Sequence, residues 1–284
     1  MIAAALPLPY PFELTFMQRA LVAGIVVGVF APMIGTFLVQ KRMSLMGEGI
    51  GHIAWAGVGA GLLLGVYPVW TALLFAVVSA LGIEWLRVRR RASGDLALAI
   101  FFYSGIALGV VLVSLAHSMN ASILSYLFGQ PLTASGADVR TIVALGVVIV
   151  VVVIVLRRVM FAVVMDEEWS RVAGMPVGLL NNVLAVLTAC AVVAAMKIVG
   201  ILLIAAMMVL PVASGQLLGR YFAGTLRWSV AISVSSVVAG LVATRLWNLA
   251  PGGTIVLISA GVFVVVALAT RTMGRLPMRE EVEV

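Results

Sequence analysis

Cysteine, lysine and histidine are scarce in this chain of 284 residues. Cys190 stands alone, Lys41 and Lys197 are the only lysines, and there are two histidines. One cysteine excludes an intrachain disulfide and any zinc site built on cysteines. Neither lysine follows a Gly-x4-Gly run, so there is no P-loop and no ATP hydrolysis by that route. His-Glu-x-x-His and Gly-x-Ser-x-Gly are also missing, which argues against a zincin-type protease and a common serine hydrolase. Charge is sparse as well: Asp, Glu, Lys and Arg make up 10% of the chain, against about 25% in soluble domains. No polar stretch is long enough for a soluble domain, so residues 1–284 read as one transmembrane domain.

What is present is apolar. Hydrophobic residues are 63% of the chain and the mean hydropathy is +1.21. Val147–Leu156 carries no polar side-chain atom, and Val262–Ala269 is equally dry. The solvent of such a chain is lipid. The net charge of +7 could suggest nucleic acid. With no basic water-facing domain, the excess reads instead as cations gathered on the cytoplasmic side of a membrane.

About 20 apolar residues cross the hydrocarbon core. The sequence predicts spans at 16–39, 44–65, 68–86, 95–116, 139–156, 177–195, 198–218, 228–247 and 254–270. The expected fold is all-α and polytopic, with nine transmembrane helices, or eight if the first does not cross. Met1–Phe16 lacks a basic start before a short apolar stretch and does not read as a cleavable signal peptide. One side collects 14 of the 18 Lys and Arg residues. That side is expected to be cytoplasmic, and the C-terminus with it.

Ionisable residues inside spans carry the functional signal, because each is costly in lipid and usually faces a partner or a wet path. Glu48 and His52, in Ser44-Leu-Met-Gly-Glu-Gly-Ile-Gly-His52, lie four residues apart and share a helix face. A carboxylate and an imidazole so placed can hold one divalent cation. That donor set suits Zn²⁺, Mn²⁺ or Fe²⁺ and disfavours Cu(I). Alternatively they pair with each other, or Glu48 complements the helix start. Other charges have plainer readings. Asp95 caps a helix, His117 is interfacial, Glu84 pairs with Arg87 or snorkels, and Lys197 snorkels to the interface. Met196, Met207, Met208 and Cys190 are packing material. Gly47/Gly51 and Gly57/Gly61 have the spacing of close helix packing. Asp166-Glu-Glu-Trp-Ser-Arg-Val-Ala-Gly174-Met-Pro176 opens with acids and ends on Gly and Pro, so it reads as a short helix at the membrane surface.

Four stretches resemble one family, the membrane (permease) subunits of bacterial ABC importers for zinc and manganese. Arg42–His52 resembles its Gly-Asp-x-x-x-His signature. Ser125-Tyr-Leu-Phe-Gly129 resembles its Tyr-Leu-Phe-Gly motif. Met196–Ala213 resembles its Val-Gly-x-Leu-Leu…Pro-Ala stretch, and Ala250–Leu257 its last Pro-x-Gly-x-x-Ile-Val-Leu segment. The resemblance implies a homodimer in the cell membrane, cytoplasmic ABC ATPase subunits, and an extracytoplasmic metal-binding protein that delivers the ion. It implies that Glu48 and His52 line the metal pathway. It also implies that Asp166, Glu167, Glu168, Ala173 and Gly174 belong to the helix that couples to the ATPase. It implies that no cofactor is permanently bound and that the metal is cargo. Glu48 stands where the family more often has Asp, Ser122 replaces a common Asp, and Asn248 replaces an acid. The second and third stretches look closer to the zinc branch. The expected function is ATP-driven import of a divalent metal, zinc favoured, by alternating access. The rivals are an ATP-independent carrier, for which no internal repeat is visible, and an intramembrane enzyme or scaffold.

Overall fold

The computed structural model describes residues 12–89, 94–116 and 126–272. His117 and Ser122 lie outside the described residues. Within these ranges the chain is helical with no strand. The helices are α1 (Thr15–Gln40), α2 (Met46–Leu64), α3 (Pro68–Val88), α4 (Gly94–Leu115), α5 (Gly136–Met165), the short α6 (Glu167–Val172), α7 (Val177–Ala195), α8 (Ile201–Leu218), α9 (Phe222–Trp247) and α10 (Pro251–Thr272). A single turn of 3-10 helix, Pro131–Thr133, precedes α5.

Seven of these are long and apolar enough to cross a membrane: α1, α3, α4, α5, α7, α9 and α10. Of the two others expected as spans, α2 falls short of that measure. The glycines, Glu48 and His52 of α2 lower its hydropathy. The apolar α8 has 18 residues and begins at Ile201, not at 198 as expected, because residues 196–199 form a turn. Pro211 does not break α8, which runs through it.

Local chemistry sets the helix ends. Arg42 adopts φ 58° at the α1–α2 reversal, where Met43 N–H reaches the Leu38 carbonyl. Gly65, at φ 67°, closes α2, and Pro68 opens α3 at a position that needs no N–H donor. Ser135 and Asp138 form a reciprocal capping box at the start of α5. Asn248 ends α9 in the left-handed conformation, which Asn tolerates better than most residues.

α2 is enclosed by α3, α4, α7 and α8, while α1 packs on α5, α7, α8 and α9. The glycines of α2 admit a different neighbour on each side. Gly57 and Gly61 meet Ala72 and Pro68 of α3, Gly51 meets Ile201 of α8, and Gly59 meets Val113 of α4. Met196, Met207 and Met208 are buried core, as their composition suggests. The outer helices are dry on the outside instead: Val148, Val155, Leu257 and Val265 are exposed, as expected where lipid or another apolar surface is the surrounding medium.

α5 is longer than its apolar stretch. Thirty residues rise about 45 Å, well beyond a core of about 30 Å. The segment Arg157–Met165, beyond the end of the expected span 139–156, is also helix; it carries the chain out to α6.

Candidate functional site

Glu48 lies in the first turn of α2 and His52 one turn further on. The pair therefore sits toward the end of α2 that adjoins Lys41, not at mid-helix. The dipole of α2 favours the Glu48 carboxylate there, so the cost expected for a mid-bilayer charge does not apply in full. Glu48 is half-buried. Among the described residues its side chain has neither an ion pair nor a hydrogen bond. His52 is 7% exposed, and its ring meets the edge of Phe102 of α4 at 4.5 Å between centroids. Gly105 of α4 touches the backbone at His52–Ile53 and brings the two helices together at this level. No ion pair joins Glu48 to His52, and among the described residues no third His, Cys, Asp or Glu completes a cluster with them. The pair offers one oxygen donor group and one nitrogen donor group on one face.

Three of the four motif-like stretches converge at the opposite end of the bundle. Gly129 and Gly200, at φ 72° and 95°, lie backbone to backbone. A Cβ on Gly129 would stand 2.4 Å from the Val199 carbonyl carbon, and one on Gly200 2.4 Å from that of Phe128. Gly252, at the start of α10, presses on the carbonyls of both Val199 and Phe128. Gln130 N–H closes the knot on the Lys197 carbonyl at 3.0 Å. Beside it, Lys197 is ion-paired to Asp138 at 2.8 Å. Asp138 also accepts hydrogen bonds from Tyr67 and from the Ser135 hydroxyl and N–H. The expectation that Lys197 snorkels is thus corrected: it has a buried anionic partner, which holds it at the α7–α8 turn. Asp138 is not singled out by the sequence, where nothing local marks its tie to Lys197. Removing one partner of a charged hydrogen bond costs about 1.5–3 kcal/mol. Lys197→Met is therefore expected to lower the thermal unfolding midpoint in detergent. An unchanged midpoint would mean the pair does not hold the knot.

At the Lys41 end the short helix takes the predicted form. Asp166 caps α6 by accepting the Trp169 N–H at 2.8 Å, Gly174 turns the chain at φ 78°, and Pro176 leads into α7. Trp169, Val172, Ala173 and Gly174 are exposed, as is Glu168, while Ser170 is buried. Glu167 turns inward. It is ion-paired to Lys41 at 3.1 Å and to Arg87 at 2.9 Å. Arg87 in turn pairs with Glu84 at 2.7 Å, as expected. The five residues assigned to coupling thus divide into one cap, one inward carboxylate and three outward positions.

Several relatives of similar sequence are named as metal-transport membrane proteins. The chain is 32% identical over 263 residues to "Probable metal transport system membrane protein" of Treponema pallidum, spanning 93% of this chain and 98% of that one. It is 29% identical to "High-affinity zinc uptake system membrane protein ZnuB" of Haemophilus influenzae, over 89% of this chain and 96% of that one. It is 31% identical to "Manganese import system permease protein ScaB" of Streptococcus gordonii, over 88% and 90%. Among solved structures, PsaBC from Streptococcus pneumoniae in complex with Fab matches with a TM-score of 0.81 at 30% identity, over 89% of this chain and 91% of that one. The inward-facing conformation of a putative metal-chelate type ABC transporter shares the fold, with a TM-score of 0.70 at 16% identity over 93% and 91%. The family model described as "ABC 3 transport family" matches residues 13–270, and the chain belongs to that family of metal-transporter membrane subunits.

Proposed function

We propose that this chain works as a homodimeric permease that imports a divalent metal ion, zinc being the favoured cargo, and that a separate ATPase drives it. The reading rests above all on Glu48 and His52. A half-buried carboxylate with no ion pair or hydrogen bond among the described residues stands one turn from a buried imidazole, on a helix enclosed by four others. Two ligands hold a cation weakly, which suits an ion that must be released. Donors from a second copy, or water, would complete the shell. Manganese is the second reading: carboxylate oxygen suits it, and the S. gordonii relative is named for it.

All nine long helices are proposed to cross. α2 and α8, with 19 and 18 residues, rise about 27–29 Å each. The contacts fit this alternation. The α1–α2 turn, the end of α3, α6 and the start of α7 meet at one face; the starts of α3, α5 and α10 and the α7–α8 turn lie at the other. The first face carries most of the arginines and is proposed to be cytoplasmic, together with the end of α10. The exposed Trp169, Val172 and Ala173 then form the knob that enters the ATPase, and a metal-binding protein delivers the ion to the other face. ATP binding moves the knob, and the dimer opens alternately to the two sides.

Purified from its own cell, the chain is expected to bring an ATPase subunit with it. Ala173→Arg places a charge on the knob and is expected to abolish that association while the permease remains monodisperse. In vesicles the complex is expected to take up zinc only with ATP, and competition by manganese decides between the two cargoes. Uptake by the chain without any ATPase would replace this reading with the secondary carrier.

A further inference from the structure

We propose that Glu167 is a transmission residue, whose one carboxylate ties α6 to the ends of α1, α3 and α7 so that a displacement of α6 moves three membrane helices together. The proposal rests on the reading of α6 as the ATPase-facing helix and adds how its motion enters the bundle.

α6 is short and packs chiefly on its chain neighbours α5 and α7. Its side chain at Glu167 reaches elsewhere. Oε1 accepts from three donors: Lys41 Nζ at 3.1 Å, Arg87 Nη2 at 2.9 Å and Asn181 Nδ2 at 3.2 Å. These sit at the C-cap of α1, in the last turn of α3 and in α7. Each donor is itself held. Lys41 is 7% exposed and donates to Asn181 Oδ1 at 2.6 Å. Arg87 grips Glu84 through Nε and Nη2 at 2.9 and 2.7 Å, and the Glu84 side chain is 3% exposed. A fork gripping a buried carboxylate has one orientation, so Arg87 presents its remaining edge to α6 as a fixed socket.

The position is also costly to vacate. Without Glu167, the buried ammonium of Lys41 loses its ion pair and Arg87 keeps only Glu84. Burial alone would raise the Glu167 carboxyl, but the Lys41 and Arg87 charges hold it below the usual carboxylate range. The latch is therefore complete above that range and opens as pH falls through the lowered value. The neighbouring acids do not share this geometry: Asp166 is spent on the helix cap and Glu168 is exposed.

The test uses the whole transporter, permease with its ATPase, in vesicles, and reads zinc taken up per ATP hydrolysed. Glu167→Gln keeps the shape and removes the charge. It is expected to retain the ATPase and its hydrolysis while lowering uptake per ATP at least 10-fold, a shift of about 1.4 kcal/mol in coupling. Glu167→Asp, which keeps the charge on a shorter arm, should recover part of the loss, and it takes the place of the amide if that variant does not fold. Wild-type uptake per ATP in Glu167→Gln overturns the proposal. So does loss of the ATPase from the complex, which would make Glu167 part of the docking surface. If the wild type itself shows no ATP-driven uptake, the failure belongs to the proposed function and not to the latch.

Discussion

Glu48→Gln and His52→Ala are each expected to lower ATP-driven metal uptake on the order of 100-fold or more, with permease and ATPase still assembled. Removing only a hydrogen-bond partner of a metal ligand typically costs 10–100-fold. Removing one of two donor groups on a single helix face should cost at least as much. The two substitutions separate transport from folding. Gln at position 48 preserves shape at a half-buried site where the carboxylate makes no ion pair or hydrogen bond among the described residues. It deletes the charge a cation needs and, apart from that charge's favourable place at the start of α2, nothing that holds the helix. His52→Ala removes an edge-to-face contact with Phe102, about 0.5–1.5 kcal/mol, and leaves a gap between α2 and α4. It should lower the thermal midpoint modestly. Uptake at wild-type levels in both variants, with intact complexes, would remove the metal assignment.

What the sequence made legible was local. The short helix α6 could be read from its own residues, because a cap at Asp166, acids in the first turn, Gly174 and Pro176 all act within ten residues or so of each other. Glu84–Arg87 was readable for the same reason, being one helical turn. The long α5 shows the limit of hydropathy. It measures the preferred solvent of a segment, not its hydrogen bonding, so nothing marked the continuation of the helix from Leu156 to Met165. The ion pairs that matter most join distant residues: Lys197 with Asp138, and Glu167 with Lys41 and Arg87. No periodicity links such positions. The motif-like glycines were visible as glycines, but not that Gly129, Gly200 and Gly252 meet in one knot. At Glu48 the sequence overstated the penalty, since the residue lies in a first helical turn and not at mid-span.

Gly35→Ala is expected to be the most destructive single methyl group among the described glycines. A Cβ there would stand 1.9 Å from the carbonyl oxygen of Met208 and 2.8 Å from its carbon. Both atoms are backbone, so no rotamer relieves the clash; α1 and α8 must move apart by more than 1 Å. Overpacking of a core costs about 1–3 kcal/mol where side chains can adjust, and here they cannot. The separation would also loosen α2 against α8, where Gly47 already meets Met208 and Gly51 meets Ile201. The seam that would open is thus the one behind Glu48 and His52, and loss of transport should accompany loss of folded protein. Two controls isolate the steric cause. Gly174→Ala meets nothing within 4 Å but stands at φ 78°, so it should cost about 1–2 kcal/mol in backbone strain alone. Gly261→Ala, helical and with open space around it, should be neutral or stabilising by about 0.5–1 kcal/mol. The measurement is the yield of monodisperse permease from detergent and its unfolding midpoint. If Gly35→Ala survives as well as Gly261→Ala, α1 and α8 do not touch as described, and the support of the metal site must be sought in another pair of helices.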